Sequence, residues 1–305
     1  MKQSISFETP LLSVVMPVFN RRNDLNRALL SLVSQTNKNF EVIVIDDGST
    51  EDIESLVNSF KTRLSLTFSR IENSGGPARP RNIGIQLANS SWVSFLDSDD
   101  WWYPQRVSVV LAEIQSNPEI DIFYHRLKIT SENPHSNRWP SKSLGKKIIG
   151  DPFIYLMTKG DVLPNSSVIL KRSCYEKFGA INESLEFSSV EDYDYWLFLA
   201  QNKCTFKFIN LVLGCYWVGP DGISAPAEKT IHRNNLVLRK YLAKLNSNDQ
   251  LRAKSRFYYS AGSKLYSVGR YSDSLEYFRL AKDLPDLAFK FKRFLKMARV
   301  IFWMS

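Results

Sequence analysis

Short apolar runs alternate with helical patterns through the N-terminal part of the chain. The apolar runs lie at residues 11–18, 40–45, 64–68 and 92–96. Runs that are this short and apolar throughout are typical of strands buried on both faces. The helical patterns lie at residues 25–33, 50–60 and 77–88. The alternation predicts an α/β fold, in which helices flank a mainly parallel sheet.

Beyond about residue 226 the strand patterns stop and the chain becomes helical and basic. Residues 261–278 resemble a single tetratricopeptide-type helical hairpin, which cannot bury its own faces alone. We therefore expect an α/β domain followed by a helical region. The expected boundaries are 1–225 for the domain, with halves at 10–104 and 105–225, and 226–305 for the helical region.

The last predicted helix, at residues 286–304, separates apolar from basic positions. Its apolar face holds Leu287, Phe291, Phe294, Leu295, Ala298, Ile301 and Phe302. The cations that lie away from this face are Lys292, Arg293, Lys296 and Arg299. This pattern fits a helix in an anionic membrane interface. It equally fits a terminal helix docked on its own protein, with the basic side solvated.

Three carboxylates, Asp97, Asp99 and Asp100, follow directly on the apolar run at 92–96. Acids this close repel one another unless a cation lies among them, and oxygen ligands favour Mg²⁺ or Mn²⁺. Such an ion commonly takes part of its coordination from a phosphate of the substrate. The alternative is a turn and helix cap ahead of Pro104, since Asp favours N-caps.

A second acidic pair, Asp46 and Asp47, follows the apolar run at 40–45. In open α/β sheets ligands bind beyond the carboxyl ends of the strands, so the two acidic clusters predict a nucleotide crevice. No glycine-rich phosphate loop follows the first strand, which argues against dinucleotide oxidoreductases and P-loop kinases. Metal and basic side chains are expected to hold the phosphates.

Composition narrows the class of protein. The 305 residues are 44% hydrophobic with a net charge of +9, which indicates a folded chain and anionic partners such as nucleotide sugars, nucleic acid or a membrane. The three cysteines lack the spacing of a metal site or a disulfide framework and are predicted to fill the core. We find no signal-like stretch in residues 1–10 and no membrane-spanning run, so a cytoplasmic protein is expected.

Several segments, taken in order, resemble the family 2 glycosyltransferases of GT-A fold. In the first half they are residues 13–20, 44–49, 73–85 and 95–100. In the second half they are residues 165–172, 178–183 and 191–197. The resemblance covers roughly residues 10–220. It implies a Rossmann-like nucleotide-binding half followed by an acceptor half.

The resemblance implies which residues bind the nucleotide. Pro17 and Phe19 would line the base pocket, with Phe19 stacked on the base and Asn20 beside it. Asp47 would accept a hydrogen bond from a uracil N–H group. Arg81 would lie near the base and the phosphates.

The acids after the fourth apolar run correspond to the D-x-D pair of the family. Asp99 is expected to bind Mn²⁺ or Mg²⁺ directly. Asp97 would contact the ribose or the sugar and also the metal, and Asp100 would support both. The cation would neutralise charge on the departing nucleoside diphosphate.

The resemblance also implies a general base for an inverting transfer. Asp192 would take the proton of the acceptor hydroxyl, while Glu191 and Trp196 would lie on the acceptor side of the site or support it. From the residues alone, Glu191 and Asp192 could simply begin a helix, where acids suit the dipole.

Three departures from the family pattern stand out. Residues 78–82 read Ala-Arg-Pro-Arg-Asn, where family members usually have a plain Ala-Arg-Asn. Phe198 stands where many carry an arginine. Residues 216–224 lack a histidine that often assists the metal or diphosphate, a role for which Asp221 offers an oxygen.

The sequence therefore predicts an inverting, metal-dependent glycosyltransferase. The donor is expected to be a UDP-sugar and the acceptor a glycan or lipid-linked hydroxyl in surface polysaccharide synthesis. Peripheral membrane contact would place the protein at the inner face of the plasma membrane, with no nucleic acid partner. The alternatives are a nucleotidyltransferase, a non-catalytic basic nucleic-acid-binding protein and a degenerate homologue.

Overall fold

One mixed sheet of nine strands runs through the computed structural model, which describes residues 10–131, 143–219 and 226–304. The strands are β1 (Ser13–Val18), β2 (Glu41–Asp46), β3 (Leu66–Arg70), β4 (Trp92–Phe95), β5 (Trp101–Trp102), β6 (Ile122–Ser131), β7 (Ser143–Leu144), β8 (Ile169–Lys171) and β9 (Phe206–Val218). Eight of them lie in the order β3-β2-β1-β4-β8-β6-β9-β5, and β7 pairs with β6.

The first four strands in this order are parallel. Every residue of β1, β2 and β4 is buried, as expected for apolar runs covered on both faces. Beyond β4 the pairing changes, because β8 is antiparallel to both β4 and β6. The strands β6 and β9 then form a second parallel pair, and the predicted fold class is confirmed.

Eleven α-helices occur in the described residues. They are α1 (Arg22–Val33), α2 (Ile53–Asn58), α3 (Ala78–Leu87), α4 (Arg106–Ser116), α5 (Pro152–Lys159), α6 (Arg172–Phe178), α7 (Glu191–Gln201), α8 (Ala227–Leu242), α9 (Ser247–Ser267), α10 (Tyr271–Leu280) and α11 (Leu287–Met304). Leu25, Leu29 and Leu32 of α1 belong to the main apolar core. Helix α3 approaches β1 so closely that a Cβ atom on Gly84 would lie 2.3 Å from Val15 Cγ1. Glycine at this position therefore permits the packing of α3 on the sheet.

The chain divides into two compact units. The sheet unit consists of Met1–Lys147 and Val162–Pro220, and the helical unit of Ile148–Asp161 and Asp221–Ser305. The sequence assigned the whole of 1–225 to one domain, whereas α5 packs with the C-terminal helices. In the helical unit Phe153 meets Tyr241 edge-on, and the Arg256 side chain donates to the Lys159 carbonyl. Helix α5 carries too short a pattern to reveal these partners in the sequence.

Helices α9 and α10 form a hairpin across residues 268–270. Gly262 lets the fully buried Phe278 approach, since a Cβ atom there would lie 2.8 Å from the ring. The Ser274 hydroxyl donates to the Gly262 carbonyl at 2.8 Å. The hairpin lies where the sequence places it, and its relation to tetratricopeptide repeats stays a prediction.

Helix α11 completes the helical unit, and none of the helices within the described residues combines the length and hydrophobicity needed to span a bilayer. Phe289 and Met297 pack against the small apolar cluster around Phe278. Most of its other large apolar side chains are exposed.

Candidate active site

The loops after β1 and β2 are tied together at the carboxyl ends of the parallel strands. Asn20 adopts a left-handed backbone with φ of 49°, which Asn tolerates better than most residues. Its side-chain oxygen accepts hydrogen bonds from Thr50, and its backbone N–H donates to the Ser49 hydroxyl. Pro17 is buried in β1 opposite Ile45. Asn20, which the sequence predicted beside the base, therefore holds the two loops together through these hydrogen bonds.

Phe19 and Asp47 lie at this edge as the sequence predicted. Phe19 is 47% exposed, so its ring has a face available for stacking. Asp47 is buried, and its Oδ1 accepts from the Ser74 backbone N–H at 2.8 Å. Burial raises the pKa of Asp47 despite this bond. Gly48 is needed beside it, because its φ is +76° and a Cβ atom would lie 2.7 Å from the Asn73 nitrogen.

Arg81 joins the two predicted halves of the site. Its Nη2 donates to Asp97 Oδ1 and its Nη1 to Glu191 Oε1, both at 2.7 Å. Burial opposes the charge of Arg81, but Asp97, Glu191 and Asp192 outweigh it and raise its pKa. Arg81 thus fixes the end of β4 to the start of α7, and its guanidinium is already engaged by protein carboxylates.

Asp97 is held from a third direction by a segment that precedes β8. The Asn165 side chain donates to Asp97 Oδ1 at 3.0 Å, and the Asp97 N–H donates to the Ser166 hydroxyl. The sequence included both residues in a motif of the acceptor half without giving them this role.

The two acids that follow are less well compensated, and the charge of Arg21 offsets the effects of burial and Asp97 on Asp99 only in part. In the part of the chain that the structure describes, no lysine or arginine forms an ion pair with Asp99 or Asp100. Burial, together with the nearby Asp97, raises the pKa of the half-buried Asp99 to about 6. Asp100 is 1% exposed, and burial raises its pKa well above the usual range. Its Oδ1 accepts from the Trp217 N–H, but its Oδ2 has no hydrogen-bond partner in the described residues.

These features fit a divalent cation. A buried carboxylate oxygen without a partner, beside two further carboxylates, is a set of hard oxygen donors with uncompensated negative charge. Asp99 and Asp97 would hold the ion, and Asp100 would support them. The hydrogen bond that Asp100 accepts from Trp217 fixes its orientation.

Arg27 is a residue of this site that sequence reasoning missed. Its guanidinium lies between the rings of Trp101 and Trp217, 4.7 and 4.8 Å from their centroids. It donates to the Asp99 carbonyl at 2.7 Å and pairs with Asp24. Arg27 therefore positions the backbone of the acidic loop, through a contact between residues far apart in the sequence.

Helix α7 brings its acidic first turn to the same place. Glu191 is buried against Arg81, and Asp192 is half-buried beside it. Asp192 Oδ1 accepts from the Tyr193 N–H at 2.7 Å. Trp196 is buried, with its ring 6.2 Å from that of Phe95 at the end of β4. Its position fits support of the strand end rather than contact with an acceptor.

A cavity of about 310 Å³ lies between the loop after β3 and the start of α7. Ser74, Arg79, Glu183, Ser188 and Glu191 contribute to its largely polar lining. Groups of this kind suit a ligand with many hydroxyl groups. Arg79, which departs from the usual family pattern, therefore lines a cavity at the site.

Of the other two departures from the family pattern, the structure describes only the one at Phe198. Phe198 stacks on Tyr195, with centroids 6.3 Å apart, so it serves packing in α7. Asp221 lies outside the described residues, and its proposed role stays a prediction.

The cysteines are free and buried, as predicted. Ligand atoms of Cys174, Cys204 and Asp121 nevertheless lie within 4.8 Å of one another, which the spacing in the sequence did not indicate. Three donors fall short of the four protein ligands of a structural zinc site.

Residues 13–171, just over half of the chain, match Glycosyl transferase family 2. The chain therefore belongs to this family of glycosyltransferases, and the predicted family is confirmed.

Sequence relatives extend the match. An uncharacterized glycosyltransferase of Haemophilus influenzae is 32% identical over 191 residues, which cover 63% of this chain and 62% of that protein. One from Rickettsia felis is 41% identical over 105 residues, covering 34% of this chain and only 17% of its own length. The chain thus spans under two thirds of these relatives. WfaP of Escherichia coli, a UDP-Glc:α-D-GlcNAc-diphosphoundecaprenol β-1,3-glucosyltransferase, is 25% identical across 86% of this chain and 98% of its own.

Solved structures share the fold. TarS of S. aureus, in complex with UDP-GlcNAc, has a TM-score of 0.57 at 17% identity, covering 88% of this chain and 90% of that chain. The mannosyltransferase PcManGT of Pyrobaculum calidifontis, in complex with GDP-Man and Mn²⁺, has a TM-score of 0.59 at 14% identity, covering 96% and 86%. The expected GT-A fold is confirmed.

Proposed function

We propose that this protein transfers a sugar from a UDP-sugar to a hydroxyl group of a glycan or lipid-linked acceptor, with inversion at the anomeric carbon. The observation that carries the proposal is the bridge that Arg81 makes from Asp97 to Glu191. It brings a candidate metal and donor site beside the candidate base, Asp192. Family membership favours this function over nucleotidyl transfer or nucleic acid binding.

The donor would lie across the edge formed by the loops after β1, β2 and β4. Phe19 offers an exposed ring for the base, and Asp47 offers an acceptor oxygen at the buried end of the crevice. The preference for UDP draws on TarS, which was solved in complex with UDP-GlcNAc, and on WfaP, whose name specifies UDP-Glc. PcManGT binds GDP-Man, so the test must include both nucleotides.

The acids after β4 would hold Mn²⁺ or Mg²⁺. A bound cation would supply Lewis-acid stabilisation of the departing diphosphate. Arg27, pinned between two tryptophan rings, would keep the loop of Asp99 in place. Arg81 would hold Asp97 oriented toward the donor.

The transfer step needs a base on the side opposite the leaving group. The acceptor oxygen would form a bond to the anomeric carbon as the bond from that carbon to the diphosphate oxygen breaks. Asp192 would take the proton of the acceptor hydroxyl, and the nucleoside diphosphate would leave with the bonding electron pair. Glu191 is buried in an ion pair with Arg81, whereas Asp192 is half-buried, which favours Asp192 for this role.

We also propose that the acceptor is presented at the inner face of the plasma membrane in surface polysaccharide synthesis, with membrane contact through residues 286–304. WfaP supports the lipid-linked acceptor, since its name specifies a diphosphoundecaprenol-linked sugar.

Calorimetric titration tests the donor site. UDP and GDP are titrated with and without Mn²⁺ into wild type, Asp99→Asn and Glu119→Gln; Glu119 is an exposed acid outside the site. We expect metal-dependent UDP binding that is lost in Asp99→Asn and kept in Glu119→Gln. Binding of GDP alone would overturn the UDP assignment, and binding of neither would overturn the donor site.

A further inference from the structure

One face of α11 is fixed on the helical unit. The Phe289 ring meets Tyr259 edge-on, with centroids 5.3 Å apart, and Lys296 Nζ donates to the Ser263 hydroxyl at 2.8 Å. Val300 is fully buried. At 3.6 residues per turn, the three α11 residues lie within an arc of about 40°. This inner face includes a lysine, so it is not the face that the sequence marks as apolar.

The opposite face is the apolar one, and its large side chains are exposed. We call it the outer stripe, formed by Leu287, Phe291, Phe294, Leu295, Ala298, Ile301 and Phe302. Its large side chains are exposed by 40% at Leu295 to 81% at Leu287. The stripe spans an arc of about 120°. Single exposed apolar residues are ordinary, but a continuous stripe of six large ones marks an interaction surface.

Cations border the stripe on both sides. Around the helix, Lys290 lies next to one edge of the stripe, and Lys292 and Arg299 lie next to the other. All three side chains are exposed. No aspartate or glutamate occurs in residues 287–304. The surface is therefore apolar at its centre and positive at both margins.

We infer that α11 binds an anionic phospholipid bilayer through the outer stripe while its inner face stays packed on the helical unit. The apolar side chains would enter the boundary between headgroups and acyl chains, and the bordering cations would meet the lipid phosphates. The inference deepens the membrane contact of the proposed function. It also resolves the two readings of the sequence, since docking on the protein and membrane binding use opposite faces.

Charge argues against a second copy of the chain as the occupant. Two stripes packed against each other would place the cationic margins of both copies side by side, with no acid on either helix to compensate. An anionic bilayer instead supplies the complementary charge along both margins.

Vesicle sedimentation tests the inference with the full chain. We compare vesicles of phosphatidylcholine with vesicles that also contain phosphatidylglycerol, and determine the partition coefficient. Wild type should favour the anionic vesicles, and added NaCl should weaken its binding. Phe291→Glu with Phe294→Glu should lower partitioning roughly a hundredfold. Lys290→Gln with Lys292→Gln should lower it roughly tenfold.

Matched controls keep the test specific. Leu251→Glu with Val268→Glu adds the same charge at half-exposed positions of the same unit, away from the stripe. Lys244→Gln with Lys254→Gln removes two exposed cations elsewhere. Both pairs should partition within about twofold of wild type. Circular dichroism establishes that each variant is folded.

The inference is overturned if wild type binds neither vesicle, or if the Phe291/Phe294 variant binds like wild type. It is also overturned if sedimentation velocity shows a dimer that this variant dissociates while no vesicle binding occurs. UDP titration is a separate readout. Vesicle binding without nucleotide binding would overturn the proposed function and leave the membrane surface standing, and the reverse would overturn only the membrane surface.

Discussion

In most proteins charged side chains are exposed and large apolar ones are buried. The end of β4 and the outer stripe of α11 are both exceptions: the first buries acids, and the second exposes apolar side chains. At the end of β4, the half-buried Asp99 and the buried Asp100 form no ion pair with a lysine or arginine of the described residues. On α11, large apolar side chains face solvent. Folding alone favours neither arrangement. Each is explained by a molecule outside the chain, for which we propose a metal–diphosphate and a lipid surface.

A third region shows that a buried charge alone does not mark a site. Arg106 is fully buried with its guanidinium 3.6 Å from the centroid of the Trp102 ring, and it donates to Ser94 and His125. No carboxylate pairs with it in the described residues, and burial lowers its pKa. Arg106 lies inside the fold, whereas Asp99 lies at a strand end beside open loops. The acids of the candidate site differ from Arg106 in their position, because they lie at the edge of the sheet, where a ligand can reach them.

The largest expected effect is on activity at the acidic edge. Asp99→Asn should lower sugar transfer roughly a thousandfold, because the amide is a poor ligand for the cation that stabilises the leaving group. Stability should be unchanged or higher, since burial and Asp97 disfavour the charge of Asp99. Release of UDP from the donor and thermal unfolding measure the two effects. Glu119→Gln removes one exposed charge as the control, and a variant that retains a tenth of the activity would contradict the assignment.

The next prediction compares the loss of stability on substituting two buried arginines that have different partners. Arg81→Met should destabilise the fold by about 3–5 kcal/mol, because it leaves Glu191 buried without a counter-charge. Arg106→Met should cost about 1 kcal/mol or less, since it removes a buried charge that no carboxylate matches. Urea unfolding of both variants measures the difference. Equal losses would show that hydrogen bonding and packing, rather than ion pairing, dominate at both positions.

A smaller effect is expected on the pH dependence of stability, through His125 beside Arg106. His125 accepts from Arg106 Nε through Nε2, and burial and Arg106 lower its pKa to about 3 from 6.5. Between these values the unfolded chain binds a proton that the folded chain does not, so stability falls as the pH drops below 6.5. The expected loss is about 2 kcal/mol by pH 5. It should be absent in His125→Gln, as urea unfolding at several pH values can show.

Asp99 contributes the opposite slope and must be separated from His125. Its raised pKa of about 6 means that the folded chain holds a proton that the unfolded chain has lost above pH 3.8. Its contribution therefore decreases as the pH rises from 3.8 to 6. Measuring His125→Gln in an Asp99→Asn background isolates the histidine. A slope that persists in the double variant would assign the acid sensitivity to another group.

The sequence predicted the parallel strands and the family because both depend on local patterns. Buried strands read as unbroken apolar runs, and Asp47 and Asp97 lie within two residues of the ends of β2 and β4. The contacts of Arg27 and Arg81 could not be predicted in the same way. Arg81 meets Glu191 across 110 positions, and Arg27 meets the Asp99 carbonyl across 72. Such partners depend on the assembled sheet rather than on neighbouring residues.

In α11 the amphipathic pattern identified the two faces but not which of them the protein covers. Apolar residues ordinarily turn inward, so the pattern alone favours burial of Phe291 and Phe294 as much as exposure. The outcome depends on Phe289, Lys296 and Val300, which meet side chains of α9 or the bundle interior. The lysine stem can line an apolar contact while its ammonium reaches Ser263.

The smallest expected effect is that of a substitution at Phe294 on the outer stripe, and the buried Phe278 provides the comparison. Phe278→Ala should lower the free energy of unfolding by about 3–5 kcal/mol, because the ring is fully buried between α9 and α10. Phe294→Ala should change it by less than about 0.5 kcal/mol, since 65% of the residue is exposed. Urea unfolding of both variants in lipid-free buffer measures the difference. A loss at Phe294 comparable to that at Phe278 would mean that the protein itself covers the outer stripe. The comparison with the acidic edge would then fail, because only the edge would require an external partner.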